Sequence, residues 1–346
     1  MKPPRISHPR RILISQLRRL GDVVLTTALL NDLRRAFPGT PVDFLVGDPA
    51  APLLDHHPLI HERIIYDRHH PTRTWRAVRA RHYDWVIDPQ SSPRTAPVAV
   101  LSGAPVRAGF ATRVWGWAYT HRLPRAGRPA EYVARERQRL LEMLGVPVAR
   151  PRTIVSVTPD ERSAGLALLE RHGISQGETV VGLVLSSAEE AREWPPEHFA
   201  ALANALGAEG MRPVALETPG DAAKLSHAMS RSRAIVRLAV PDLREFLGAL
   251  TACDVLVSGN TGPAHMATAV GVPRVTICGP EPPAAWAPAD DPSVIALRAS
   301  WATALGRVTP DDPRYSSITS EVEPGAVLDA VRRLVDSNRA RAGPRP

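Results

Sequence analysis

Hydrophobic and polar positions alternate along the chain in two registers, short continuous apolar runs and longer stretches with helical spacing. Apolar runs at residues 11–17, 42–47, 63–66, 85–88 and 106–110 predict buried strands of a parallel sheet. Between them, residues 23–37 and 74–82 carry apolar positions at helical spacing. Residues 111–129, with two tryptophans, several arginines and poor periodicity, predict a loop or flap, and a helix over 132–144 ends at Gly145. The proline-bearing stretch 146–159 predicts a linker. The second half repeats the pattern, with strands over 179–186, 213–216, 235–238, 255–258, 274–278 and 294–297. Helices are predicted over 159–172, 196–206, 221–229, 243–250 and 324–335. The reading is therefore a domain over 1–150, a second over 151–338, and a disordered Arg/Pro/Gly-rich tail over 339–346.

Two strand–turn–helix junctions stand out. In the second half, Val255 to Val257 breaks at Ser258-Gly259-Asn260-Thr261-Gly262-Pro263-Ala264-His265. Thr261 is suited to an N-cap and Pro263 to a first helical turn, whose N–H groups favour an anion, above all a phosphate. In the first half, Ile12-Leu13-Ile14 leads through Arg18-Arg19-Leu20-Gly21-Asp22 into the helical stretch. One such junction in each half predicts two Rossmann-like domains facing each other across a cleft, since ligands in open α/β sheets bind at the carboxyl ends of the strands.

Composition narrows the setting. The 346 residues are 44% hydrophobic, enough for two cores. Cys253 and Cys278 lie in apolar runs and read as reduced core residues of a cytoplasmic protein. No signal-peptide core and no run long enough to span a membrane is present. The net charge of +8 is uneven. Residues 1–150 hold 24 Lys/Arg against 12 Asp/Glu, about +12, and residues 151–346 hold 19 against 23, about −4. The basic half points to an anionic partner, either nucleic acid or a phosphorylated glycolipid at a membrane surface. No zinc finger, helix-turn-helix or aromatic-interleaved basic motif accompanies it, so nucleic acid is not expected. There is no metal-ligand spacing and no Gly-x-Gly-x-x-Gly, so neither a metal, a cofactor nor dinucleotide redox chemistry is expected.

Taken together, these stretches resemble glycosyltransferase family 9, the ADP-heptose:lipopolysaccharide heptosyltransferases, from about residue 11 to about residue 335. The matching segments are Leu20-Gly21-Asp22-Val23-Val24, Arg34 to Pro38, Arg192-Glu193-Trp194-Pro195, Asn260 to His265, Gly271-Val272-Pro273, Gly279-Pro280 and Trp286-Ala287-Pro288. The resemblance implies a GT-B fold and an inverting sugar transfer from a nucleotide sugar, ADP-heptose, to an anionic glycolipid or polysaccharide. With the basic first half, such an acceptor leads to an expectation of peripheral contact with the inner-membrane surface.

It makes Asp22 the general base for the attacking hydroxyl, with Arg18, Arg19 and Gly21 in the acceptor-side loop. Arg192 would stabilise the leaving diphosphate, and Ser186, Ser187, Asp221, Asn260, Thr261, Gly262 and His265 would bind the donor. Two positions depart from the family pattern. Arg192 stands where the family usually has Lys, and Asn260 where it has Asp, which leaves the donor sugar open. Each residue also has a plainer reading: Asp22 and Asp221 as helix N-caps, Arg192 as a solvated arginine among acids, the serines as turn residues, His265 as structural. A nucleotide-sugar epimerase of related fold and a catalytically silent nucleotide-sugar-binding protein remain as alternative functions.

Overall fold

A computed structural model describes residues 8–124, 130–187, 189–218 and 220–342. The chain divides into two compact units, Met1–Ser156 and Val157–Pro346. The expected division was at 150/151.

The first unit is built on six parallel strands: β1 (Ile12–Gln16), β2 (Val42–Gly47), β3 (Glu62–Tyr66), β4 (Trp85–Asp88), β5 (Val106–Phe110) and β6 (His121–Leu123), in the order β3-β2-β1-β4-β5-β6. β1 is central and fully buried, which is why its run Ile12-Leu13-Ile14 is continuous rather than alternating. β6 lies inside the segment expected to be an irregular loop. It is only three residues long and pairs at one edge of the sheet, so it carries no period for the sequence to display. Residues 125–129 of that expected loop lie outside the described residues.

The expected helix over 23–37 is two helices, Leu20–Thr26 and Ala28–Ala36, meeting at Thr27. The hydroxyls of Thr26 and Thr27 donate back to the carbonyls of Asp22 (2.8 Å) and Val24 (2.7 Å). Such back-bonding by consecutive threonines competes with the regular helical ladder.

The second unit repeats the architecture with β7 (Val180–Val184), β8 (Arg212–Glu217), β9 (Val236–Ala239), β10 (Val255–Gly259), β11 (Arg274–Ile277) and β12 (Val294–Leu297), all parallel, in the order β12-β11-β10-β7-β8-β9. Its core joins Leu183, Val257, Val275 and Ile277 of the sheet to Trp194, Phe199 and Leu202 on one covering layer, and to Val327, Val331 and Leu334 of the C-terminal helix. On the same unit the helices Pro159–Arg171 and Leu243–Thr251 cross so closely that a Cβ on Gly165 would overlap the carbonyl of Gly248. The C-terminal helix runs Pro324–Ala342. Residues 339–342, expected in a disordered tail, are thus helical: the helix runs past its last large apolar residue, Val335, through the helix-favouring Arg339-Ala340-Arg341-Ala342, and no glycine or proline follows Val335 before Gly343-Pro344. Residues 343–346 lie outside the described residues. No described helix is long and apolar enough to cross a membrane.

Candidate active site

In each sheet, chain order reverses once: between β1 and β4 in the first unit, between β7 and β10 in the second. The crevice outside the strand ends at such a reversal is where open α/β sheets bind ligands. Most of the sequence-derived candidates fall at these two places, while Asp221 follows β8. Arg18 to Asp22 follows β1. Ser186 and Ser187 follow β7, and Asn260 to Gly262 follows β10.

In the first unit, Asp22 is not an N-cap. The helix begins at Leu20 with Arg19 at the N-cap position, and Asp22 sits in the first turn. Its Oδ2 accepts the Arg19 N–H at 3.3 Å, and its Oδ1 is ion-paired with Arg137. Arg137 is 4% exposed at its side chain, and Asp22 is 29% exposed. Arg137 also donates to the Asp22 carbonyl and to Thr26 Oγ1 (2.6 Å), so three acceptors fix the guanidinium against the first helical turn. The carboxylate is therefore held in place yet remains open to solvent. Arg18 and Arg19 are exposed, and Gly21 is buried in the turn. Gln90, at the end of β4, completes the junction: its Oε1 accepts the Leu17 N–H at 2.8 Å and its own N–H is held by Asp88 at 3.1 Å. Asp88 is fully buried, accepts from the Tyr119 hydroxyl at 2.6 Å, and burial raises its pKa.

Arg137 and Gln90 were missed by sequence reasoning. Arg137 had a readable signal. In the helix Val133–Met143 it lies three residues after buried Ala134 and four before buried Leu141, a charged residue on the apolar face. Gln90 follows an apolar strand in a turn and carries no such signal.

In the second unit, the helix Gly262–Val270 starts directly beyond β10 with Thr261 at the N-cap position and Pro263 in its first turn. The Thr261 hydroxyl makes no cap bond. Arg192 ends a short 3-10 turn, Glu190–Arg192, whose main chain lies on two glycines. A Cβ on Gly259 would overlap the Arg192 carbonyl oxygen, and one on Gly279 the Ala191 carbonyl oxygen. Only glycine permits this approach, and it brings Arg192 beside the start of the helix. Trp194 anchors the other side. It is 1% exposed, stacks edge-on against Phe199 at 4.8 Å, and donates to the Val322 carbonyl at 2.8 Å.

Arg192 is not a solvated arginine. Its side chain is 14% exposed, paired with Glu281 and, at 3.1 Å, with Glu189, and its guanidinium lies 6.0 Å from the Trp286 ring centre. The His265 ring lies 5.7 Å from the same indole. Among the described residues, five buried polar atoms here have no hydrogen-bond partner: Asn260 Oδ1, Thr261 Oγ1, Arg192 Nε, Glu281 Oε2 and Trp286 Nε1. Such groups cost about 1–3 kcal/mol each when left unsatisfied, so their gathering at one crevice makes it the candidate site for a polar ligand.

Ser187 is turned into the scaffold, its N–H donating to Glu193 at 3.0 Å and its hydroxyl accepting from the Glu189 N–H at 3.4 Å, while Ser186 is half-buried. Lys224 pairs with the same Glu193. Asp221 occupies an N-cap position without capping. Its Oδ2 instead accepts from the Thr218 N–H (2.7 Å) and hydroxyl (2.6 Å), which closes the loop after β8. Two arginines, half-buried Arg298 and buried Arg274, both unflagged by the sequence, hold the far wall. Arg298 donates to the carbonyls of Gly279, Pro280, Ala302 and Gly306 at 2.6–2.8 Å. Arg274 donates to Thr268 Oγ1 at 2.7 Å and to the Trp286 carbonyl at 3.1 Å. Cys253 and Cys278 are free and buried, and burial pushes both thiols up to about 12, which leaves them unreactive.

Residues 72–309 match the family described as glycosyltransferase family 9 (heptosyltransferase). The chain is 26% identical over 306 residues to lipopolysaccharide heptosyltransferase 1 of Pseudomonas aeruginosa, covering 79% of each protein. It superposes on the solved structure of a family 9 glycosyl transferase from Veillonella parvula with a TM-score of 0.80 at 23% identity, covering 95% of this chain and 97% of that one. It also superposes on the ADP-heptose lps heptosyltransferase II of E. coli with a TM-score of 0.78 at 20% identity, covering 95% and 99%. With two parallel six-stranded sheets and a match spanning both, the chain belongs to glycosyltransferase family 9 and is a glycosyltransferase of GT-B fold.

Proposed function

We propose that the protein transfers heptose from ADP-heptose to a hydroxyl of an anionic glycolipid or surface polysaccharide, at the cytoplasmic face of the inner membrane, with no metal or cofactor. The observation that carries this reading is the set of unpartnered buried polar atoms around the start of the helix Gly262–Val270, with Arg192 among them. The names of its relatives, heptosyltransferases acting on lipopolysaccharide, supply the sugar and the acceptor class.

The second unit would hold the donor. First-turn N–H groups near Gly262 and the Arg192 guanidinium meet the diphosphate. Asn260 and His265 face the sugar end, and Ser186, Ser187 and Asp221 shape the surrounding loops. The first unit would hold the acceptor, with Arg18 and Arg19 attracting its phosphates. Asp22 takes the proton from the acceptor hydroxyl as its oxygen attacks the anomeric carbon. The new C–O bond forms as the bond to the β-phosphate oxygen breaks. Negative charge builds on departing ADP, where Arg192 and the helix start lower the barrier. A single displacement of this kind inverts the anomeric centre.

The test is incubation with ADP-heptose and a deacylated inner-core oligosaccharide, following ADP release and the mass of the acceptor. Acceptor-dependent ADP release with gain of one heptose is expected. ADP release with no change in acceptor mass, or binding without turnover, would overturn it.

A further inference from the structure

Two residues of the first unit are the most exposed large apolar side chains among the described residues, Val114 and Trp117, each 64% exposed. Both sit on one turn, and the turn is stiff. The Gly116 N–H donates to the Thr112 carbonyl at 3.0 Å, the Trp115 N–H to Thr112 Oγ1 at 3.1 Å, and the Ala118 N–H to the Trp115 carbonyl at 3.0 Å. Trp115 packs inward on the core that contains Val98 and Ala118. Tyr119, 3% exposed, is tied by its hydroxyl to buried Asp88. Trp117 is thus held outward by a scaffold fixed on both sides of it, and its indole lies 6.4 Å from that of Trp115.

The charge along this segment has one sign. Residues 111–124 contain Arg113, His121 and Arg122 and no Asp or Glu. Arg113 and Arg122 are exposed, and the Arg122 stem runs beside Gly116, with its Cδ 4.0 Å from where a Cβ would stand. A protruding indole and valine flanked by two arginines match a bilayer with anionic headgroups, where an amphipathic ring settles at the interface and cations meet lipid phosphates. A rigid tip loses little entropy on docking.

We propose that the 112–118 turn docks this protein on an anionic membrane, Trp117 and Val114 entering the boundary between headgroups and acyl chains while Arg113 and Arg122 bind lipid phosphates. This deepens, and rests on, the reading that the acceptor is presented at the inner-membrane surface.

The full chain is sedimented with vesicles of phosphatidylcholine alone or mixed equally with phosphatidylglycerol. Binding to the mixed vesicles is expected, falling about tenfold in Trp117→Ser through lost apolar burial. It should fall about fivefold for each of Arg113→Gln and Arg122→Gln, the equivalent of about 1 kcal/mol per cation near the surface. Affinity for ADP, read by calorimetry, should be unchanged in Trp117→Ser, which verifies the fold. Equal partition of wild type and Trp117→Ser, or no binding to either vesicle, overturns the proposal. So does a dimer in sedimentation velocity that Trp117→Ser abolishes, which assigns the tip to a second copy. Transfer to a deacylated acceptor is measured alongside, so that failure of the glycosyl-transfer reading shows as absent turnover whatever the vesicles report.

Discussion

Arg137 and Asp22, 115 residues apart, form an ion pair that is buried at the arginine and open at the carboxylate. The asymmetry decides what each substitution does. Asp22→Asn leaves a buried guanidinium without its counter-charge, so it should lower stability by about 1.5–3 kcal/mol, the worth of a hydrogen bond to a charged group. It should also lower kcat by about 100-fold or more if Asp22 is the base. Arg137→Met removes the buried charge and leaves a carboxylate that water can reach. It should cost less stability but still lower kcat, because the base loses its orientation. Thermal melts and turnover on both variants check this, and wild-type turnover in Asp22→Asn would remove Asp22 from the chemistry.

Arg192 meets a competitor before it meets any phosphate, because Glu281 already occupies its guanidinium. Arg192→Ala should weaken ADP binding by about 1.5–3 kcal/mol. Glu281→Gln should strengthen it, since the cation is then freed for the diphosphate. Calorimetric titration of ADP into the two variants gives opposite signs if Arg192 holds the phosphates. Weakened binding in Glu281→Gln would instead make Glu281 the residue that positions Arg192.

Acceptor binding should depend on salt. With a balance of about +12 in residues 1–150, KM for an anionic acceptor should rise steeply between low and physiological ionic strength. KM for the donor should rise less, because exposed charges are screened within about 8 Å at 0.15 M. A salt-independent acceptor KM would reduce the basic residues to solvated surface.

The second unit carries its own pH response. Arg244 and the Thr158 N–H hold the Glu161 carboxyl down at about 2, from an ordinary 4.5. A depressed carboxyl contributes stability above its unfolded value, and that stability is lost as pH falls from about 4.5 toward 2. Glu161→Gln should flatten the stability curve over that window while leaving activity near neutrality unchanged, as urea titrations at several pH values would report.

The sheets were legible in the sequence because buried parallel strands carry continuous apolar runs, and Ile12–Ile14 of β1, Trp85–Ile87 of β4 and Val255–Val257 of β10 show this directly. The two junctions were legible because glycine, proline and capping residues have steric reasons to sit there. What stayed hidden depends on distant partners. Arg137 could be read as a charge on an apolar helix face, but nothing pairs it with Asp22; nothing near Arg192 announces Glu281, and Arg298 gains its meaning only from the four carbonyls folded around it. Helix ends failed where local hydrogen bonds competed, at Thr26 and Thr27, and where an edge strand was too short to show a period.

The two glycines beneath the 190–192 turn separate a position from its occupant. Because Gly259 and Gly279 grip the main chain of Ala191 and Arg192, the turn owes its location to atoms that every amino acid shares. Position 192 is therefore an interchangeable socket. Arg192→Lys should leave the turn where it is and exchange a forked cation for a point charge, a change read in phosphate affinity and not in folding. Gly259→Ala should do the reverse. It displaces the turn by overlap, lowers stability by about 1–3 kcal/mol, and removes ADP binding with every charged group still present. Here the glycines decide where position 192 stands, and the side chain placed there is left to set the affinity for phosphate.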